Sequence, residues 1–153
     1  LLGVCESWMT PALFLSVAFV AGAVISFFTG SSWGTFAICI PIAVPMAYSF
    51  TGGQLGTLVY AAVGAVVSGG LFGDHCSPVS DTTVLSSLGA ACDHIDHVRT
   101  QIPYALLAAV SSFIAYLIVG VTQMAAGIAL PVALAILVVL FLLATKLFGK
   151  KIA

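Results

Sequence analysis

Charge is what this sequence has least of. Only 6% of its 153 residues are Asp, Glu, Lys or Arg, against about a quarter in a typical soluble domain. No charged residue lies between Glu6 and Asp74, and none between Arg99 and Lys146. With 61% hydrophobic residues and a mean hydropathy of +1.23, a soluble core cannot hide the apolar surface, and lipid must be the solvent for most of it. There is no basic patch, which argues against a nucleic-acid partner. The four cysteines, Cys5, Cys39, Cys76 and Cys92, form no short-spaced disulfide framework. Cys39 sits in an apolar run as a small hydrophobe. Phosphate loops, nucleophile elbows and metalloprotease motifs are all missing, so an enzyme is not expected. No positively charged leader precedes the first apolar run, and residue 1 is Leu. The expectation is a piece of a longer membrane protein.

What is present is a series of apolar runs near the length of about 20 residues that a bilayer-crossing helix needs. The first covers residues 11–28, with Thr10 placed to cap it and Pro11 suited to its first turn. The second covers 36–50 and should be kinked or short at Pro41 and Pro45. The third, 55–72, is rich in small residues that permit close helix contact. A short helical piece is expected over 82–91, and further spans over 103–121 and 128–143. The fold expected is therefore all-α: a polytopic membrane protein with about five transmembrane helices and two broken or re-entrant segments. Lys146, Lys150 and Lys151 place the C-terminus in the cytoplasm by the positive-inside rule. Two spans back, the polar stretch 92–100 falls on the same side.

The two breaks carry the chemistry. Irregular backbone at membrane depth survives only when buried in protein or facing a watery cavity. Transporters use such half-helix ends to hold ions or substrates. Break one, residues 29–35, offers the hydroxyls of Ser31, Ser32 and Thr35, though an ordinary Gly/Ser loop would look the same. Break two, residues 73–83, offers the hydroxyls of Ser77, Ser80, Thr82 and Thr83 beside the carboxylates of Asp74 and Asp81. Hard cations prefer such oxygen ligands. A carboxylate inside a membrane is a functional candidate by default. Taking a carboxylate out of water favours its neutral form, which suits it to trading a proton for a cation. The plainer reading of Asp81 is a cap for a helix starting at Thr82.

His75, Cys76, Cys92, His94 and His97 lack the paired spacing of structural zinc sites. Asp93, His94 and His97 read either as solvated polar groups on one helical turn or as a proton path to the site.

Three blocks carry a family resemblance. They are Thr29-Gly30-Ser31-Ser32-Trp33-Gly34-Thr35, then residues 73–83 (Gly-Asp-His-Cys-Ser-Pro-Val-Ser-Asp-Thr-Thr), then Cys92-Asp93-His94-Ile95-Asp96-His97-Val98 with Thr100-Gln101-Ile102-Pro103-Tyr104. In this order they resemble the C-terminal part of NhaC-type sodium/proton antiporters. The resemblance implies a secondary transporter in a cell membrane, exchanging Na⁺ for H⁺ without a cofactor. Its Na⁺ would sit at Asp74 or Asp81, with hydroxyls completing the shell. Relatives with similar motifs carry organic acids or amino acids, which is the alternative; a non-transporting membrane subunit is a second. Family members are much longer, so the expected partners are the lipid bilayer and a missing N-terminal half, with self-association as a further option.

Overall fold

The computed structural model describes residues 9–148. Among them are six helices: α1 Pro11–Thr29, α2 Ser32–Phe50, α3 Thr57–Cys76, α4 Asp81–Gly89, α5 His94–Thr122 and α6 Ala126–Phe148. All but α4 are long and apolar enough to cross a membrane. The nine residues of α4 reach only about 14 Å at 1.5 Å per residue, half a bilayer core. The chain is a multi-pass helical membrane protein. The lysine cluster falls partly beyond this view, since Lys150, Lys151, Cys5 and Glu6 lie outside the described residues.

Each helix start has a local cause. Thr10 caps α1 by accepting from the Leu13 amide at 3.5 Å, and Pro11 occupies its first position. Ser31 caps α2, its Oγ accepting from Gly34 N at 3.3 Å. Asp93 caps α5 through the amides of Ile95 and Asp96 at 2.9 and 3.1 Å.

The boundaries differ from the sequence expectation in an instructive way: the breaks are shorter than expected. Break one is only Gly30 and Ser31, because α2 begins at Ser32, so Ser32 and Thr35 lie in its first turn. Pro41 and Pro45 sit inside α2, which nevertheless runs for 19 residues. Break two is only residues 77–80, since α3 continues through Gly73, Asp74 and His75 to Cys76. The cap of α4 is Ser80, and Asp81 is its first residue rather than the cap. The polar stretch after Cys92 is also mostly helical, and Pro103 lies inside α5. Polar composition alone does not require irregular backbone, because a hydroxyl or carboxylate on a helix end needs only a cap beside it.

The helices pack around α1 and α3, whose mutual contact is the most extensive in the chain. Glycines make it possible. A Cβ on Gly69 would collide with the Phe19 carbonyl, and one on Gly73 with that of Ala23. Backbone therefore meets backbone, as small residues allow in lipid. Below this seam, Phe14, Leu15, Ala43, Ala47, Leu58, Val59, Ala62 and Val66 form an apolar core shared by α1, α2 and α3. By contrast α6 lies mainly against α5, and its apolar window has no buried residue. A helix apolar on all sides is at home only in lipid or among other membrane helices.

Candidate ion-binding site

The two breaks cross. Gly30 takes a left-handed conformation (φ 66°) that ends α1, and its N–H donates to Ser26 O at 2.8 Å. A Cβ here would lie 2.8 Å from the Val79 carbonyl, in the middle of the second break. Ser77 locks the crossing: its Oγ donates to Phe27 O on α1 at 2.7 Å and accepts from Val79 N at 3.3 Å. Only glycine suits both the φ and the space.

Asp74 sits beside the crossing, on the last turn of α3, at 7% exposure. All the bonds to its carboxylate come from hydroxyls. Ser80 Oγ donates to Oδ1 at 2.7 Å, while Ser32 Oγ and Thr82 Oγ1 reach Oδ2 at 3.3 Å each. Ser80 and Thr82 also lie 2.7 Å apart. Ser80 spends its single proton on Asp74, so the single Thr82 proton is shared between Ser80 Oγ and Asp74 Oδ2. Two of these hydroxyls stand in the first turns of α2 and α4, and the third belongs to Ser80, which holds the N-cap position of α4 without making a side-chain cap bond. The carboxylate thus faces the positive N-terminal ends of two helices, which favour negative charge there. The only permanent cations among the described residues are Arg99 and Lys146, and neither bonds to it. Taking a charge out of water without an ionic partner is costly. The hydroxyls and helix ends offset part of that cost.

The remaining sequence candidates divide. Ser31 and Thr35 do not join the carboxylate: Ser31 caps α2, and Thr35 Oγ1 donates to Ser31 O at 2.9 Å. Thr83 Oγ1 donates to Asp74 O at 3.3 Å and is shared with His75 O at 3.5 Å. It therefore holds the end of α3 rather than the side chain of Asp74. Asp81 is exposed, and its Oδ1 accepts from Thr82 N at 2.9 Å. His94 is a clamp. Its Nε2 lies 2.7 Å from Pro78 O, which can only accept, so Nε2 carries the proton; its Nδ1 meets Ser87 Oγ at 3.1 Å. Asp93 is engaged as the α5 cap. Cys76 is buried and Cys92 exposed.

Sequence reasoning named His97 on α5 but missed Thr100, Gln101 and Tyr104 beside it. Gln101 Nε2 donates to His75 O at 2.7 Å, and Gln101 Oε1 is buried without a partner. His97, Thr100, Gln101 and Tyr104 follow the helical spacing of one face and together line a cavity of about 430 Å³. That spacing was available in the sequence. Its facing partner, the end of α3, was not.

Residues 3–121 match the Na⁺/H⁺ antiporter family. The chain belongs to that family. It is 47% identical over 137 residues to an uncharacterised protein of Haemophilus influenzae, covering 89% of this chain and 25% of that one. It is 34% identical to the malate-2H⁺/Na⁺-lactate antiporter of Bacillus subtilis, over 72% of this chain and 22% of that one. It is 32% identical to the Na⁺/H⁺ antiporter NhaC of Alkalihalophilus pseudofirmus, over 76% of this chain and 24% of that one. The chain thus spans about a quarter of the length of the curated relatives it matches. No solved structure matches it.

Proposed function

We propose that this chain supplies the cation-exchange site of a sodium/proton antiporter, with Asp74 as the group that trades Na⁺ for H⁺. The observation that carries this reading is a buried carboxylate whose partners are three hydroxyls and no cation. A hydroxyl can donate to a bare carboxylate, accept from a protonated one, or turn a lone pair to a metal ion. The ring of Ser32, Ser80 and Thr82 therefore accommodates each state of an exchange cycle without rearranging the helices. Na⁺ bound at Asp74 would take its remaining ligands from these oxygens and from carbonyls at the helix ends, a hard-ligand set. Because Na⁺ and H⁺ compete for the same carboxylate, loading one requires release of the other. Exchange follows from that competition, with alternating access supplied by the whole transporter.

Supporting this reading are the family and the NhaC relative. The alternative is a sodium- or proton-coupled carrier of an organic acid or amino acid, favoured by the malate/lactate relative. In that case the helix N-termini around Asp74 would help position a substrate carboxylate through a shared Na⁺. Na⁺-dependent dissipation of a pH gradient in vesicles, measured with Asp74→Asn and with and without added organic acids, separates the two. Undiminished Na⁺/H⁺ exchange by the well-expressed Asn variant would refute the Asp74 assignment. We place the protein in a cell membrane with residue 146 and the residue 92 end of α5 on the cytoplasmic side, since two spans separate them. Labelling of cysteines at the two positions from opposite sides would overturn that.

A further inference from the structure

Two cavities meet at one wall. The first, about 540 Å³, lies between α3 and α5 and contains Asp74. The second, about 430 Å³, lies between α4 and the first turns of α5. His75 and Thr82 line both. The cavities differ in chemistry. Beyond Asp74, His75, Thr82, Ser68 and Ser112, the lining of the first is apolar, with Leu71, Phe72 and Ala105 among its residues. The second is walled by side chains that all carry a polar atom, among them Ser86, His97, Thr100 and Gln101. Its lining residues His97 and Thr100 lie within one turn of Asp93, Asp96 and Arg99, which are exposed at the starting end of α5. That end is the aqueous one, because a charged triplet there would be costly in hydrocarbon.

Thr82 is the joint between the two. Its hydroxyl touches Asp74 Oδ2 at 3.3 Å, while the same side chain faces the outer cavity. His75 flanks it, its carbonyl held by Gln101 from α5. Gln101 also carries a buried acceptor oxygen that no group among the described residues satisfies. A lone buried acceptor in a polar cavity calls for a water or a cation.

Resting on the Asp74 reading above, we propose that the outer cavity is the aqueous antechamber through which the exchanged cation reaches Asp74, with Thr82 and His75 as the door. A hydrated Na⁺ can exchange waters for the hydroxyls here, then pass along the Thr82 hydroxyl to the carboxylate. No helix need unwind for this passage. His94 does not lie on the route, because both its ring nitrogens are engaged beside Pro78 and Ser87.

The test uses the whole transporter in membrane vesicles, with Cys5, Cys39, Cys76 and Cys92 replaced. Single cysteines are placed at Thr100→Cys and Ser86→Cys, with Leu130→Cys, on the apolar cavity between α3, α5 and α6, as control. The probe is a bulky trimethylammonium thiosulfonate, which travels only in water. Two readouts are taken: Na⁺-driven proton movement, and Na⁺ protection of Asp74 against an apolar carbodiimide that arrives through lipid. The expected result is that modification at 100 or 86 removes most of the proton movement and slows Na⁺ protection. The carbodiimide itself still reaches Asp74, and Leu130→Cys is unaffected. Complete modification at both positions with transport and protection unchanged would overturn the antechamber while leaving Asp74 as the exchange site. Failure of the probe to react at either position would also overturn it. Absence of Na⁺ protection in the unmodified protein would overturn the Asp74 reading and this proposal with it.

Discussion

The two breaks are built alike and used differently. Each interrupts a helix next to a glycine or proline, and each ends at a serine cap followed by a fresh helix. Break one is two residues long, and the helix that follows it contributes a single hydroxyl, Ser32, to Asp74. Break two is four residues long, and Ser80 and Thr82 reach the carboxylate from it and from the helix that follows. Break one supplies the sharp turn and a space without a side chain at Gly30; break two fills that space with the Val79 carbonyl. The lesson is that neither break is a site alone. The carboxylate is buried because two helix starts converge on it, and they converge because Gly30 lets the backbones cross.

The largest effect is expected at the point of convergence. Asp74→Asn keeps shape and loses charge, and should reduce Na⁺-dependent proton movement by about 100-fold or more, some 3 kcal/mol, the scale for removing a buried charged partner. Transport assays in vesicles at matched expression measure it. Retained exchange would mean that the crossing is only structural.

Next is the crossing itself. Gly30→Val places a branched side chain at a positive φ and against Val79 O. The backbone conformation alone should cost about 1–2 kcal/mol. A lower melting temperature in detergent, with transport falling in step, is the expected outcome. A variant as stable as the parent would show that the breaks are not coupled through Gly30.

The hydroxyls then rank the two breaks against each other. Ser80→Ala removes the 2.7 Å bond to the carboxylate and should weaken apparent Na⁺ affinity by about tenfold, near 1.4 kcal/mol. Ser32→Ala removes only a 3.3 Å contact and should cost about threefold. Na⁺ titrations of exchange read both. The reverse order would assign the tighter ion contact to break one.

Much of this was legible in the chain. Apolar run lengths gave the five spans and the absence of charge gave the solvent, because both follow from composition alone. Three of the hydroxyls named as candidates, those of Ser32, Ser80 and Thr82, do bond to Asp74. What was not readable was direction. Ser31, Ser32 and Thr35 look equivalent as a string, yet the cap geometry turns Ser31 and Thr35 to the backbone and leaves Ser32 for Asp74. The lengths of the breaks were overestimated for the same reason: polar residues at helix starts and ends were read as loop. Of the α5 face, His97 was named but Thr100, Gln101 and Tyr104 lay hidden, because their partner, the end of α3, is brought to them only by tertiary packing.

The smallest effect is expected at Asp81, and it is the sharpest comparison, because sequence alone could not separate it from Asp74. Both are carboxylates in one eight-residue stretch, with two serines, Ser77 and Ser80, between them. In the fold they part. Asp74 closes α3 and turns inward, while Asp81 opens α4 and turns outward, bonding only its neighbour's amide. An acid in the first turn contributes through the helix end, an effect of about 0.3–1 kcal/mol at an exposed position. Asp81→Asn keeps a polar side chain that can still accept from Thr82 N, so the loss should fall at the low end. Exchange should therefore drop by less than about threefold, with carbodiimide labelling of Asp74 and its suppression by Na⁺ unchanged. Should Asp81→Asn abolish exchange as completely as Asp74→Asn, the two carboxylates would have to act as one site. The outward face of α4 would then belong to the ion's path.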